Sequence, residues 1–342
     1  FSNGQALNNM IREPKSHFWD WYSPYYPVPS EIDPAVPAGC KVTFVQVLSR
    51  HASRYPKSPE MERAKALLAR VRTEVSGRVR PEPSNRETLE ILMSNDLIPH
   101  EFEKLTPFGK KEAIDSGRSF FKRYQDLAAH NDPFMRSIDE DRVIETASLW
   151  KEGFDQSKGY GKTTRGMEII PTTKGFNNSL HYGGCPAFDR TVSKIHTSTA
   201  MQWMNRNFEQ IIARMNRQLP GVYFAPADIQ RLMRLCPTNT VINGIESKVC
   251  NLFTTEEFRD TEYGNTIGQY YSWGPGNPLG NPATFPLNRK IYADFSRSNV
   301  LVSIYSAMGL FDGARPLSKT QMTPLAESGG FTMSRLIPFG SR

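Results

Sequence analysis

Val45-Gln46-Val47-Leu48-Ser49-Arg50-His51-Ala52-Ser53-Arg54-Tyr55-Pro56 decides the fold of this chain. It completes the run Lys41 to Leu48 (KVTFVQVL), which is β-branched and aromatic, of strand length and nearly continuous in apolar character. A strand buried on both faces has that composition. Directly after it two arginines flank a histidine, at the carboxyl end of the strand, where open α/β sheets place their ligands. Guanidinium groups grip phosphate oxygens in bidentate fashion and stabilise the charge of a phosphoryl group in transfer. A neutral imidazole nitrogen beside them can accept that group as a covalent phosphohistidine, which water later cleaves. His17, His100, His130, His181 and His196 read as satisfied core or surface residues; His51, between two arginines, does not.

Further strands are expected at Arg142 to Thr146, Met167 to Ile170 and Ile291 to Phe295. Helical patterns fall at Pro107 to Tyr124, Thr199 to Leu219, Pro226 to Leu235 and Asn299 to Leu310. Strands followed by helices predict an α/β fold, a sheet flanked by helices. The stretch from about Thr191 to Tyr271 is nearly all helical in pattern and predicts a smaller α-helical domain inserted into the first. Residues 1–190 and 281–342 then form the α/β domain, and residues 191–280 the insertion. Proline and glycine are spread along the chain as punctuation, without repeats or low-complexity tracts.

With 342 residues, 38% hydrophobic and 11% aromatic, the chain has ordinary globular composition for one large domain or two modest ones. No uncharged apolar stretch reaches the length of a membrane span, and FSNGQALNNM lacks the layout of a signal peptide. A soluble protein is expected, one whose signal is already removed if it is secreted. The formal net charge of +7 favours anionic partners. Lys and Arg are scattered and no nucleic-acid-binding motif is present, so a small anionic substrate is expected: a phosphate ester, another oxyanion or a carboxylate. Cys40, Cys185, Cys236 and Cys250 form no CxxC pair and have no histidine at metal-ligand spacing, so disulfides are expected in place of a metal site. The Cys236 to Cys250 stretch is a short polar loop that a bridge could staple, worth up to ~3 kcal/mol. The sequon Asn177-Asn178-Ser179 points likewise to an oxidising compartment and a secreted glycoprotein.

The run VQVLSRHASRYP resembles the signature of the histidine acid phosphatases, in which a strand ends in Arg-His-Gly-x-Arg-x-Pro. The likeness, closest to the fungal phytases, continues in order through SHFWDWYSPYYPVP, LTPFGKKEAIDSGRSFFKRY, DPFMRS with DRVIETA, GFNNSL with CPAF, LPGVYFAPADIQRLMRLCP, YYSWGPGNPLG, NPATFPLN and IYADFSRSN through SAMGLF. The resemblance implies the histidine-phosphatase fold, with His51 as nucleophile, Arg50 and Arg54 as phosphate ligands, and no metal or organic cofactor. From the Arg-x-Ser step of DPFMRS it implies Arg136 as a third phosphate-binding arginine. It assigns Cys236 to Cys250. The family partners of Cys40 and Cys185 fall in a tail beyond PFGSR, and the likeness jumps a segment between Gly280 and Asn281.

Members of the family carry a His-Asp pair in a context like DFSHDN, where the aspartic acid protonates the leaving alcohol and the histidine contacts phosphate. This chain reads Asp294-Phe295-Ser296-Arg297-Ser298-Asn299, which puts Arg297 and Ser298 at those catalytic positions. A serine hydroxyl is too weak an acid for the task, and a positioned general acid contributes ~10²- to 10⁴-fold. Arg297 adds a permanent cation without restoring proton transfer. Ala52 replaces the family's glycine, and its methyl is expected to crowd the pocket if that position needs positive φ or close approach. Asp294, and Glu145 on an expected strand, are the candidate substitute acids. The leading reading is this fold with altered chemistry on an anionic substrate; the alternatives are a phosphomonoesterase working through phosphohistidine and a non-catalytic phosphate-binding protein.

Overall fold

The computed structural model describes residues 14–28, 33, 35–159, 166–173, 176, 178–181, 186–277 and 289–342. Asn177, Cys185 and the step from Gly280 to Asn281 lie outside the described residues. Four parallel strands, β1 (Val45–Arg50), β2 (Phe134–Ile138), β3 (Glu168–Ile170) and β4 (Ile291–Ser296), form one sheet in the order β1-β4-β2-β3. In register, Val45 meets Ile291, Arg50 meets Ser296, and Phe134 meets Tyr292. β4 is therefore central, and every residue of it is buried, as a parallel strand covered on both faces requires.

The described helices are α1 (Ser58–Val75), α2 (Arg86–Met93), α3 (Pro107–Arg123), α4 (Gln125–Ala128), α5 (Asp141–Lys158), α6 (Pro186–Asn207), α7 (Glu209–Gln218), α8 (Pro226–Asn243), α9 (Thr255–Ser272), α10 (Ser298–Ala307) and α11 (Met333–Leu336). The α/β architecture with a helix-flanked sheet stands as expected. Strand β1 begins at Val45, because Lys41, Thr43 and Phe44 are exposed, and it runs on through Arg50.

One expected strand is overturned. Arg142 to Thr146 lies in α5, whose buried Val143, Ala147, Trp150 and Phe154 recur at helical spacing. Five β-branched and charged residues hid a period that emerges only over the following two turns. The strand is the segment before it, Phe134–Ile138. The single helix expected over Thr199 to Leu219 is two, parted at Phe208, and α8 continues past Leu235 and through Pro237 to Asn243.

Helix α3 starts with Pro107 at its first position and Thr106 as N-cap, whose hydroxyl accepts from the Gly109 amide at 3.0 Å. It packs on α5 at backbone contact. A Cβ on Gly117 would lie 1.9 Å from the Trp150 carbonyl oxygen, and one on Gly153 2.0 Å from that of Ile114. These two helices and the sheet share a core of Phe120, Trp150, Phe154, Met135, Ile291 and Phe295, each large side chain contributing roughly 1.5–3 kcal/mol by leaving water. Helix α10 packs against β1 and shares a separate core with α6 and α9. A further core joins α1, α2, α7 and α8 to Trp19, Tyr22 and Phe339, three aromatics from opposite ends of the described chain. Cys236 and Cys250 are disulfide-bonded with Cα atoms 4.8 Å apart, and Cys40 is an exposed free thiol.

Candidate functional site

The sheet order sets β1, β4 and β2 side by side, so their carboxyl ends deliver residues to one place. A cavity of about 240 Å³ opens there, lined by Arg50, His51, Arg54, Arg142, Arg297 and Ser298 among others. The His51 amide donates to the Ser296 carbonyl at 3.1 Å, tying the loop after β1 to the end of β4. Nδ1 of His51 lies 2.9 Å from the Ala52 carbonyl oxygen. A carbonyl only accepts, so that nitrogen carries the proton and Nε2 keeps its lone pair. Burial, then Arg50, Arg54 and Arg142, push the imidazole well below its ordinary value. Both the burial and the arginines favour the neutral imidazole, the form that can act as a nucleophile.

Arg50 is 2% exposed. It donates to the carbonyls of Trp21 and, at 2.8 Å, Ile337, and its guanidinium lies 4.3 Å from the centre of the Phe339 ring. Burial and neighbouring Arg54 lower it to about 9, so it is a cation at neutral and acid pH. Arg54 donates to the Tyr55 carbonyl at 2.8 Å. Arg142, in the first turn of α5, donates to Glu140. Each of these three arginines has a buried Nε–H with no partner. Three guanidinium groups lining one cavity are what an oxyanion satisfies.

Arg297 is the N-cap residue of α10 and Ser298 its first residue, and both line the cavity. Arg297 pairs with Glu140 at 2.8 Å and donates to Nδ1 of His181 at 2.7 Å, so His181 is neutral there, with its proton on Nε2. Glu140 therefore bridges Arg142 and Arg297 from behind.

Arg136 is not brought to the cavity. It forms a buried two-point pair with Asp294, Nε to Oδ1 at 2.7 Å and Nη2 to Oδ2 at 3.0 Å, in the middle of the sheet. Burial alone would lower its pKa, but Asp294 outweighs that and raises it. Arg142 is the arginine that this part of the chain supplies. The sequence offered a signal for it, since an arginine in the first turn of a helix that follows a strand sits at the sheet's ligand end; taking Arg142 to Thr146 as a strand obscured it. Asp294, 0% exposed and also hydrogen-bonded to Gln46 at 3.1 Å, cannot reach a substrate in the cavity. Glu145 lies on helix α5, not on a strand, and pairs with Lys110 at 2.8 Å away from the cavity.

Ala52 does not crowd the pocket. Among the described residues the non-glycine positive-φ positions are Asp20 and Glu103. The Ala52 amide donates to Oγ1 of Thr146 at 3.1 Å, and its methyl packs with Leu105 and Ala113. Close approach is needed elsewhere: a Cβ on Gly109 would meet the Ser53 carbonyl oxygen at 1.9 Å, so that glycine lets the start of α3 abut the motif loop.

His196, read as an ordinary histidine, stands on the cavity wall, where burial and then Arg234 lower it to about 4. Glu60 and Lys57 also line the cavity. Burial pushes Glu60 up, but Arg234, the Tyr22 hydroxyl donating at 2.8 Å, Arg54 and Lys57 together leave its carboxyl below the ordinary range. Among the described residues no group of His, Cys, Asp and Glu could hold a metal ion, and no helix is long and apolar enough to cross a membrane.

Residues 41–283 match the model of the histidine phosphatase superfamily (branch 2), and the chain belongs to that family. Within it, Phytase A of Aspergillus fumigatus is 34% identical over 374 residues, covering 96% of this chain and 78% of that protein. Phytase A of Arthroderma benhamiae is also 34% identical, with the same coverage. Among solved structures, the phytase from D. castellii superposes with a TM-score of 0.81 at 20% identity, covering 98% of this chain and 79% of that one. The multiple inositol polyphosphate phosphatase of Bifidobacterium longum, in complex with phosphate, superposes at 0.65 with 12% identity, covering 95% and 86%. These likenesses establish the phytase fold.

Proposed function

We propose that this chain is a phytase-like phosphohydrolase of altered chemistry. In this reading Arg50, Arg54 and Arg142 bind the phosphoryl group of a small anionic substrate, Nε2 of His51 takes it, and water releases it as phosphate. Arg142 takes the part first expected of Arg136. The leaving group receives no proton from Ser298, and Arg297 faces it as a cation. The observation that carries the reading is His51 itself, neutral, fixed in one tautomer and set among three arginines with unpartnered donors. The relatives named phytases and a neighbour that binds phosphate support the substrate class. The disulfide fits a secreted protein of an oxidising compartment, and the division into residues 1–190 with 281–342 and an insertion at 191–280 belongs to the same proposal.

The test is to incubate the protein with p-nitrophenyl phosphate, whose leaving group departs unprotonated, and to quench in alkaline denaturant. Acid-labile phosphate on the peptide containing His51, absent from His51→Ala, is the expected result. Phosphate binding with neither covalent phosphate nor nitrophenol release would sink the proposal and leave a phosphate-binding protein.

A further inference from the structure

We infer that the cavity is built to cleave phosphoanhydrides, such as inorganic tripolyphosphate, in preference to phosphate esters of alcohols; this rests on the phosphohistidine reading above. The first support is that the described lining residues offer no carboxylic acid placed to give a proton. The one carboxylate there, Glu60, already accepts from Tyr22 and faces Arg234 at 3.6 Å. The Tyr22 hydroxyl is engaged with Glu60, and His196 is half-buried beside α9, its Nδ1 toward Gly268, with burial and Arg234 lowering it to about 4. An alkoxide leaving group is far too basic to depart without a proton. A leaving phosphate, with a second pKa of roughly 6, departs as an anion and needs positive charge instead.

The second support is the charge arrangement. Arg50, Arg54, Lys57, Arg142 and Arg297 line the cavity against the single carboxylate of Glu60. One phosphoryl group held by Arg50, Arg54 and Arg142 leaves Arg297 and Lys57 for a second. Arg297 is placed for that task. It follows Ser296, which pairs in register with Arg50, so it stands beside His51 across the ladder. Glu140 and His181 hold two of its nitrogens and fix its direction, while its side chain keeps 23% exposure. The Ser298 end of α10 adds the positive pole of a ten-residue helix.

The step balances without a co-reactant. Nε2 of His51 attacks the terminal phosphorus, the bond from that phosphorus to the bridging oxygen breaks, and its electron pair leaves on the shortened polyphosphate beside Arg297. Water then attacks the phosphohistidine, the N–P bond breaks, its pair returns to Nε2, and the water proton leaves with phosphate.

The experiment compares kcat/KM for tripolyphosphate, p-nitrophenyl phosphate and glycerol phosphate, with phosphohistidine trapped in parallel. Tripolyphosphate should exceed glycerol phosphate by on the order of 100-fold or more, the size of a missing general acid. Arg297→Gln should lower tripolyphosphate about tenfold more than p-nitrophenyl phosphate, and Arg297→Lys should recover part of that ratio. Phosphohistidine from p-nitrophenyl phosphate, with glycerol phosphate cleaved as fast as tripolyphosphate or with tripolyphosphate untouched, overturns this inference alone. Equal losses for both substrates in Arg297→Gln do the same. Absence of phosphohistidine from every substrate overturns the proposed function, and this inference with it.

Discussion

Replacing Asp294 by Asn should destabilise the protein severely while leaving the chemistry of the cavity in place. Asp294 is 0% exposed and accepts from Arg136 at 2.7 and 3.0 Å and from Gln46 at 3.1 Å. An asparagine is the same size but offers one acceptor oxygen, and it turns an NH₂ group towards groups that themselves donate. The guanidinium of Arg136 is then buried without a counter-charge, which costs ~3–5 kcal/mol when one partner of a buried pair is removed. Since a domain's whole stability is about 5–15 kcal/mol, roughly a fifth of it or more disappears. Urea unfolding followed by circular dichroism measures this directly. Replacing the pair together by apolar residues, Asp294→Leu with Arg136→Met, should recover most of the loss, because a packed apolar pair is often neutral relative to a buried ion pair. Hydrolysis of p-nitrophenyl phosphate by that double variant should stay within about twofold of the parent. A cost under ~1 kcal/mol for Asp294→Asn, joined to a large fall in kcat, would refute the structural role and return both residues to the catalytic site.

Ser298→Asp combined with Arg297→His should raise kcat for glycerol phosphate on the order of 100-fold, with much smaller gains for aryl phosphates, since an acid helps only a leaving group that needs a proton; no change in either class would move the block to the shape of the pocket. Glu262, buried and hydrogen-bonded by the Ser334 amide at 3.0 Å, is raised by burial to about 8. Its folded value lies above its unfolded one, so the stability it contributes is complete below pH ~4.5 and is lost as pH rises through 8. Stability measured at pH 5 and pH 8 should therefore fall by on the order of 3 kcal/mol less in Glu262→Gln than in the parent, and equal falls would contradict this. Replacing Cys236 and Cys250 by Ser opens a closed loop with a sequence separation of 14 and should cost ~3 kcal/mol in denaturant unfolding.

The loop that bears His51 could be read in the sequence because its determinants are local: a continuous apolar strand and charged residues within six positions of its end. The third arginine could not, because helix and strand differ only in period, and Arg142 to Thr146 is too short to show one. Arg136 and Asp294 each looked chemical in isolation. Only the parallel register, which sets Arg136 directly opposite Asp294, reveals that they neutralise one another. The cavity walls were beyond reach for a different reason. Tyr22, Phe339 and His196 meet the motif from distant parts of the chain, and nothing within a sequence window records that meeting. Arg297 and Ser298, where the resemblance expects a His-Asp pair, were visible as plain residue types, and the structure adds where the charge of Arg297 goes: it is anchored on Glu140.

The loop that bears His51 is closed by the far end of the described chain. The Arg50 amide donates to the Ser341 carbonyl at 2.9 Å, the Gly340 amide donates to the His51 carbonyl at 3.1 Å, and Arg50 holds the Ile337 carbonyl across 287 intervening steps of sequence. During biosynthesis at ~5–20 residues per second, His51 emerges about 15–60 s before its clasp does. For that interval a nascent chain can hold its first strand and helices but not a set Arg50 or a seated Phe339. The strand, the loop and the guanidinium of Arg50 thus reach their final arrangement only after residues 337–341 have been made and have folded back.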